Sequence, residues 1–120
     1  MYIYSFEKLS VWTEAKDLAK IIYSLSKSFP SDEKYGISSQ LKRASISICS
    51  NIAEGSARNT GKDKAHFTTM AFSSAVEVLN QLIICYELNF ISETEYTNTR
   101  KAIESITNKL NALRKHQINS

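Results

Sequence analysis

One spacing governs this chain: apolar residues return every three or four positions, run after run, and almost nothing interrupts them. Leu9, Trp12, Ala15, Ala19, Ile22, Leu25 and Phe29 form the first such stripe, the pattern of an amphipathic helix beginning near Phe6. Pro30 stops it, because a ring that fixes φ and removes the N–H cannot continue a helix. Only three glycines and one proline punctuate 120 residues. A many-turned β fold needs more of both, so a single all-α domain over residues 1–120 is expected.

The later helices are legible from their ends. Ser38 is a plausible cap for a second helix carrying Ile37, Leu41, Ala44, Ile48 and Ile52 on one side, with Ile46, Cys49 and Ala53 widening the apolar surface. Gly55 reads as its stop, since a residue without Cβ can take the left-handed turn of a helix C-terminus. Thr60 followed by Asp63 is a near capping box for a third helix. That helix shows two stripes, Phe67, Ala71, Ser74, Val78, Leu82 and Cys85 on one and Phe72, Ala75, Leu79, Ile83 and Tyr86 on the other. It must be covered twice. Ser92 with Glu95 is a full capping box, with Ile91 and Tyr96 placed for a hydrophobic staple. In the fourth helix Tyr96, Ile103 and Leu110 alternate with Ile106 and Leu113 in a heptad seam. The expected helices are therefore 6–28, 38–54, 61–90 and 93–115, joined by short loops into an up-down-up-down antiparallel four-helix bundle. If the middle pair folds back about Arg58, Asn51 lies level with His66, and Arg43 with Ser73, Ser74 and Glu77.

Little supports catalysis. The stretch GSARNTGKD (residues 55–63) resembles a phosphate-binding loop, but five residues separate its glycines and Asp63 follows the lysine, where a carboxylate would repel phosphate. No buried strand precedes it. Neither His66 nor His116 has an evident nucleophile and carboxylate beside it. Asp63 and His66 are only a shortened half of a di-iron motif. No enzyme activity, cofactor or metal is expected. Cys49 and Cys85 lie in apolar helical patterns and read as reduced core thiols. Without a basic segment followed by an apolar core at the start, or a window approaching eighteen apolar residues, a cytoplasmic protein with no membrane partner is expected.

The run QLKRASISICSNIAEG, residues 40–55, resembles the signature of the four-helix-bundle proteins encoded by intervening sequences of bacterial 23S rRNA genes. The likeness extends from Phe6–Trp12 through Phe29-Pro30 and Tyr35-Gly36 to Ala71–Glu77, nearly the whole chain. That family is similar in turn to the accessory protein of diversity-generating retroelements, a basic, pentameric bundle that associates with nucleic acid and a reverse transcriptase. The resemblance implies a bundle that assembles as a homo-oligomer, a pentamer included, and binds nucleic acid.

The net charge is +3 and the sequence pI near 8.9, which permits a polyanionic partner without demanding one. Arg100 and Arg114 share one heptad position of the fourth helix, and Lys101 and Lys115 the next. With Arg58 and Lys62 at the preceding loop they are the candidate RNA or DNA contacts. The ordinary reading of that stripe is a solvated face interrupted by Glu104, which leaves a protein-interaction scaffold as the alternative function. No aromatic platform for stacking single-stranded bases is legible, so binding is expected to follow shape and charge. Arg43, Asn51, Glu54 and Glu77 read as structural or interface residues: Asn51 to fix register and oligomer choice, Glu54 to pair with Arg58, with Lys62 or with a neighbouring subunit, and Arg43 to pair with Glu77.

Overall fold

The computed structural model describes residues 1–120. A 3-10 turn at Ser5–Lys8 precedes α1 (Ser10–Ser26), a second at Ser31–Glu33 precedes α2 (Ile37–Ser56), and α3 (Gly61–Glu87) and α4 (Glu93–Ile118) follow. Each helix packs on its neighbours in sequence and α1 closes the ring on α4, while the diagonal pairs do not approach. This is an antiparallel up-down-up-down bundle.

The stripes meet as their spacing requires. Leu18 and Ile22 of α1, Leu41 and Ile48 of α2, Val78 and Leu82 of α3, and Ile103, Ile106 and Leu110 of α4 are fully enclosed. α3 buries Ala71, Val78, Leu82 and Cys85, while Phe72, Leu79 and Tyr86 pack half-buried on the same core. Covered by α2 and α4, it is by length and composition apolar enough to cross a membrane, closer to that limit than the expectation from apolar runs allowed. The Cys85 thiol is pushed up to about 11, chiefly by burial and secondarily by the Glu33 carboxylate, so it stays protonated at neutral pH.

Several ends differ from the sequence expectation. Phe6 lies in the 3-10 turn, and Leu9 is extended before α1 begins at Ser10. Ser38 does not cap α2: Gly36 holds that position without a side-chain bond, and Ser38 is buried within the first turn. α3 stops at Glu87 instead of Phe90, because Asn89 takes the chain's one positive φ outside glycine, 63°. Phe90 N–H then donates to Cys85 O at 2.9 Å and Asn89 N–H to Tyr86 O at 3.0 Å, the paired bonds of a Schellman motif. Phe90 folds back onto Phe29, with ring centroids 5.5 Å apart. The capping bonds foreseen at the other ends are present: Thr60 Oγ1 accepts from Asp63 N–H at 3.1 Å, and Ser92 and Glu95 exchange bonds of 2.9 and 3.1 Å.

Gly55 does not stop α2. It lies inside the helix with negative φ, and its missing Cβ serves another end: a Cβ there would stand 2.8 Å from Phe67 Cβ and 3.4 Å from Lys64 O. α2 and α3 come together at this point. Ser47 and Ser74 share a hydrogen bond at 2.9 Å, and Gln81 Nε2 reaches Gln40 Oε1 at 3.4 Å. These pairs are symmetric about the Thr60–Gly61 junction, not about Arg58. Because α2 continues beyond the end foreseen for it, Asn51 is level with Met70 and Ala71, not His66, and Arg43 is level with Val78, beyond Ser73 and Ser74 and one residue from Glu77.

One polar group at this seam is unsatisfied. Gln81 Nε2 donates to Glu77 Oε2 at 3.2 Å as well as to Gln40, and Gln81 Oε1 is buried with no partner. Turning the amide over would set its oxygen against two acceptors, which fixes the orientation. An orphaned buried carbonyl costs about 1–3 kcal/mol, whereas Glu77 and Gln40 are exposed and can return to water. Gln81→Met, near in volume, should therefore raise stability by about 1 kcal/mol. Urea unfolding that places this variant below the parent would show that the oxygen is satisfied in solution.

Candidate functional site

Only two ion pairs form in the chain, Arg100 with Glu104 at 3.9 Å and Lys109 with Glu14. The second joins α4 to α1 and is reinforced by a hydrogen bond from Ser105 Oγ to Glu14 Oε1. Burial pushes the Glu14 pKa up, but the hydrogen bonds from Lys109 and Ser105 and the lysine's charge outweigh it and hold the carboxyl below its ordinary range. The other cations have no carboxylate within 4 Å.

The six basic candidates do not form one stripe. Arg100 is engaged: its guanidinium pairs with Glu104, donates to Tyr96 Oη and lies 5.8 Å from that ring's centroid. Lys101 and Lys115 are exposed. Arg58 rests 4.5 Å over the Phe67 ring at the α2–α3 turn. Arg114, about 21 Å along α4 from Arg100 at 1.5 Å per residue, donates from Nε to Thr69 Oγ1 at 2.8 Å.

What the structure does bring together is Lys62 and Arg114. They line an open cleft of about 710 Å³ with Thr60, Gly61, His66 and Thr69, between the start of α3 and the end of α4. No acidic side chain lines it. Thr60 satisfies the Asp63 N–H, and the Gly61 and Lys62 N–H groups have no partner within the helix, so the positive end of the α3 dipole lies at the cleft. Arg114, Lys115 and His116 stand in the last turns of α4, where cations also offset that helix's negative end.

Close packing holds the cleft in shape. A Cβ on Gly61 would stand 2.2 Å from Gln117 O, so the first residue of α3 lies directly on the last turn of α4. Thr68 Oγ1 donates to Gln117 Oε1 at 2.7 Å in a buried bond. Gln117 continues the heptad seven residues after Leu110, a position sequence reasoning passed over because it is polar. His66 and Thr69 were likewise missed as cleft residues, and only the α3–α4 register reveals them.

The structural candidates sit elsewhere. Asn51 is buried and donates from Nδ2 to Ser47 O at 2.9 Å and Ser47 Oγ at 3.1 Å, holding the serine that bridges to Ser74. Arg43 and Glu77 form no ion pair; the Glu77 carboxylate accepts from Gln81 instead. Glu54 is exposed and pairs with neither Arg58 nor Lys62. No three His, Cys, Asp or Glu side chains gather with metal-binding geometry.

Comparison with known proteins adds to this geometry. A sequence profile of the 23S rRNA-intervening sequence protein family matches residues 7–112. A crystal structure of a protein with unknown function from the S23 ribosomal protein family of Bacteroides thetaiotaomicron is similar at a TM-score of 0.81 and 23% identity, over 88% of this chain and 98% of that one. At that identity the likeness shows the fold. No curated protein matches the chain.

Proposed function

We propose, from the premise that this chain belongs to the 23S rRNA-intervening sequence protein family, that it is a non-enzymatic, homo-oligomeric bundle that binds RNA. The observation that carries this reading is the α3–α4 cleft, where Lys62, Arg114 and a helix N-terminus face one hollow with no acidic side chain in its lining. Such a combination suits phosphate. The guanidinium can fork onto two oxygens, the ammonium supplies a mobile point charge, and the backbone N–H groups add a fixed dipole. Lys115 stands one residue from Arg114 and Arg58 flanks the loop, so a backbone lying across this end meets several cations.

Assembly has its own support. Met70 and Ile84 of α3 and Leu88 at its C-cap are exposed apolar residues near one line, and repetition around a ring would multiply a charge that is small per chain. Ile46 of α2 is also 44% exposed but opens toward α1, so Ile84→Glu is the more direct disruption. Light scattering should show a smaller particle for that variant than for the parent.

The decisive experiment is anisotropy of a labelled RNA hairpin and a DNA duplex across a salt series. Binding should weaken steeply with salt, and the triple variant Lys62→Gln/Arg114→Gln/Lys115→Gln should lower the log–log slope by about 3, one for each phosphate that no longer meets a cation. An unchanged slope would remove the cleft from the interface. No binding of either probe at low salt would favour a protein-interaction scaffold, to which the exposed apolar line on α3 also lends itself.

A further inference from the structure

We infer that the groove between α1 and α2 is a second site, separate from the α3–α4 cleft, that takes a single-stranded polynucleotide with its lysines on the phosphates and its aromatic rings against the bases. The inference rests on the RNA-binding reading and assigns to it a strand-specific surface that no basic stripe on α4 supplies.

On α1 and its C-cap, Trp12, Lys16, Lys20, Tyr23 and Lys27 follow one another at helical steps of three and four. With Ile46 and Cys49 of α2 they line a groove of about 550 Å³. Tyr23 is shared with a second hollow of about 350 Å³, lined by Lys34, Tyr35, Lys42 and Arg43. Six cations and three aromatic rings thus border one continuous surface, and no carboxylate lines either part. None of the six cations forms an ion pair, nor does Asp17 on the neighbouring face of α1.

The resting places of the lysines are informative. Lys16 Nζ lies 5.1 Å from the Trp12 centroid, Lys42 Nζ 5.2 Å from that of Tyr23, and Lys34 Nζ 5.5 Å from that of Tyr35. At exposed rings such contacts are weak. A phosphate would draw each ammonium away at little loss and leave the ring face open to a base. Tyr23 and Tyr35 are exposed and belong to no part of the core, so burial does not account for their presence here.

The occupant follows from both features together. The unpaired lysines suit a polyanion, and the rings suit an exposed planar face. An acidic peptide supplies only the charge, and a duplex hides its base faces in the stack. A single strand offers both, with stacking that tolerates any sequence. From Trp12 to Lys27 the chain rises about 22 Å, long enough to meet several successive phosphates of an extended strand. The sequence did not disclose this platform. Trp12 falls on the apolar stripe, and the rings and lysines come from two helices and the segment between them.

Trp12 is the chain's only tryptophan, so its fluorescence reports on this groove directly. The full-length protein is titrated at low salt with the unstructured oligonucleotide rU12 and, separately, with a blunt RNA hairpin. We expect rU12 to quench Trp12, Lys16→Gln/Lys20→Gln/Lys27→Gln to lower the log–log salt slope for rU12 by about 2, and Tyr23→Ala to weaken it about tenfold or more, with Tyr23→Phe retaining affinity. Lys62→Gln/Arg114→Gln should leave the quenching intact. Hairpin binding with no Trp12 response to rU12 would overturn the groove and leave the RNA-binding reading standing, whereas binding of neither probe would overturn both. Equal quenching by polyglutamate would make the surface an acidic-protein site. A Trp12 signal that shifts with protein concentration alone would mean that a second copy covers it. Either result sinks the inference.

Discussion

Gly55→Ala should lower the thermal unfolding midpoint by roughly 4–10 °C, although alanine is the better helix former by about 1 kcal/mol. In an open helix the substitution would stabilise. Here the new methyl would stand 2.8 Å from Phe67 Cβ, a separation that carbon atoms do not tolerate. Phe67 Cβ is fixed to the α3 backbone and cannot swing aside as the end of a long side chain could, so α3 itself must shift. Moving it disturbs the Ser47–Ser74 and Gln81–Gln40 bonds along the same seam. Overpacking of this kind costs about 1–3 kcal/mol after the propensity gain is offset, and Gly55→Leu should exceed that range. The double variant Gly55→Ala/Phe67→Ala gives a sharp check. It keeps the Cβ and should show no rescue. A rise in the midpoint for Gly55→Ala alone would mean that the two helices stand further apart than the structure places them.

Leu82→Ala should be the most damaging of the simple truncations, whereas Ile84→Ala, two residues along the same helix, should scarcely register. Leu82 is fully buried and Ile84 is 40% exposed. Removing the first leaves a cavity between α3 and its partners, for which losses of about 2–5 kcal/mol are typical. Against the roughly 5–15 kcal/mol that holds a domain of this size together, that is a large share. The second lies on the outward line of α3 and gives up surface that water already reaches. Its substitution should stay within about 0.5 kcal/mol for the isolated chain. Urea titrations of both variants at low protein concentration test the contrast, and comparable losses would show that the Ile84 face is covered in the working assembly.

The contrast also shows why some features were legible in advance. The core stripes of α1, α3 and α4 follow from periodicity, because a helix can enclose only residues that recur near its own pitch. The Thr60 and Ser92 caps follow from local chemistry, since the groups that bond are three residues apart. Gly55 was legible as a special position but not for the right reason. Absence of Cβ serves a left-handed turn or a close approach equally well, and only the position of Phe67 distinguishes them. The Arg43–Glu77 pairing failed for a different reason: the register leaves Arg43 level with Val78, beside Glu77, but that carboxylate accepts from Gln81 instead. A shift of between two and three residues in the fold-back point is a small error along the chain, yet across two antiparallel helices it is doubled to more than a full turn, which is why Asn51 lies level with Met70 and not His66.

The candidate sites were less accessible than the fold. By itself the sequence determined the helices, their amphipathic faces and the bundle they make, because those depend on interactions within a few residues and on how much apolar surface must leave water. Tertiary structure alone decided which cations share a hollow. It separated Arg100, held by Tyr96 and Glu104, from Arg114, and set Arg114 beside Lys62 at the start of another helix. It also drew Trp12, Tyr23 and Tyr35 onto one surface with lysines from α1, α2 and the segment between them. Charges and rings carry no periodicity that the core enforces, so their grouping depends on register between helices, which close contacts such as those at Gly55 and Gly61 set.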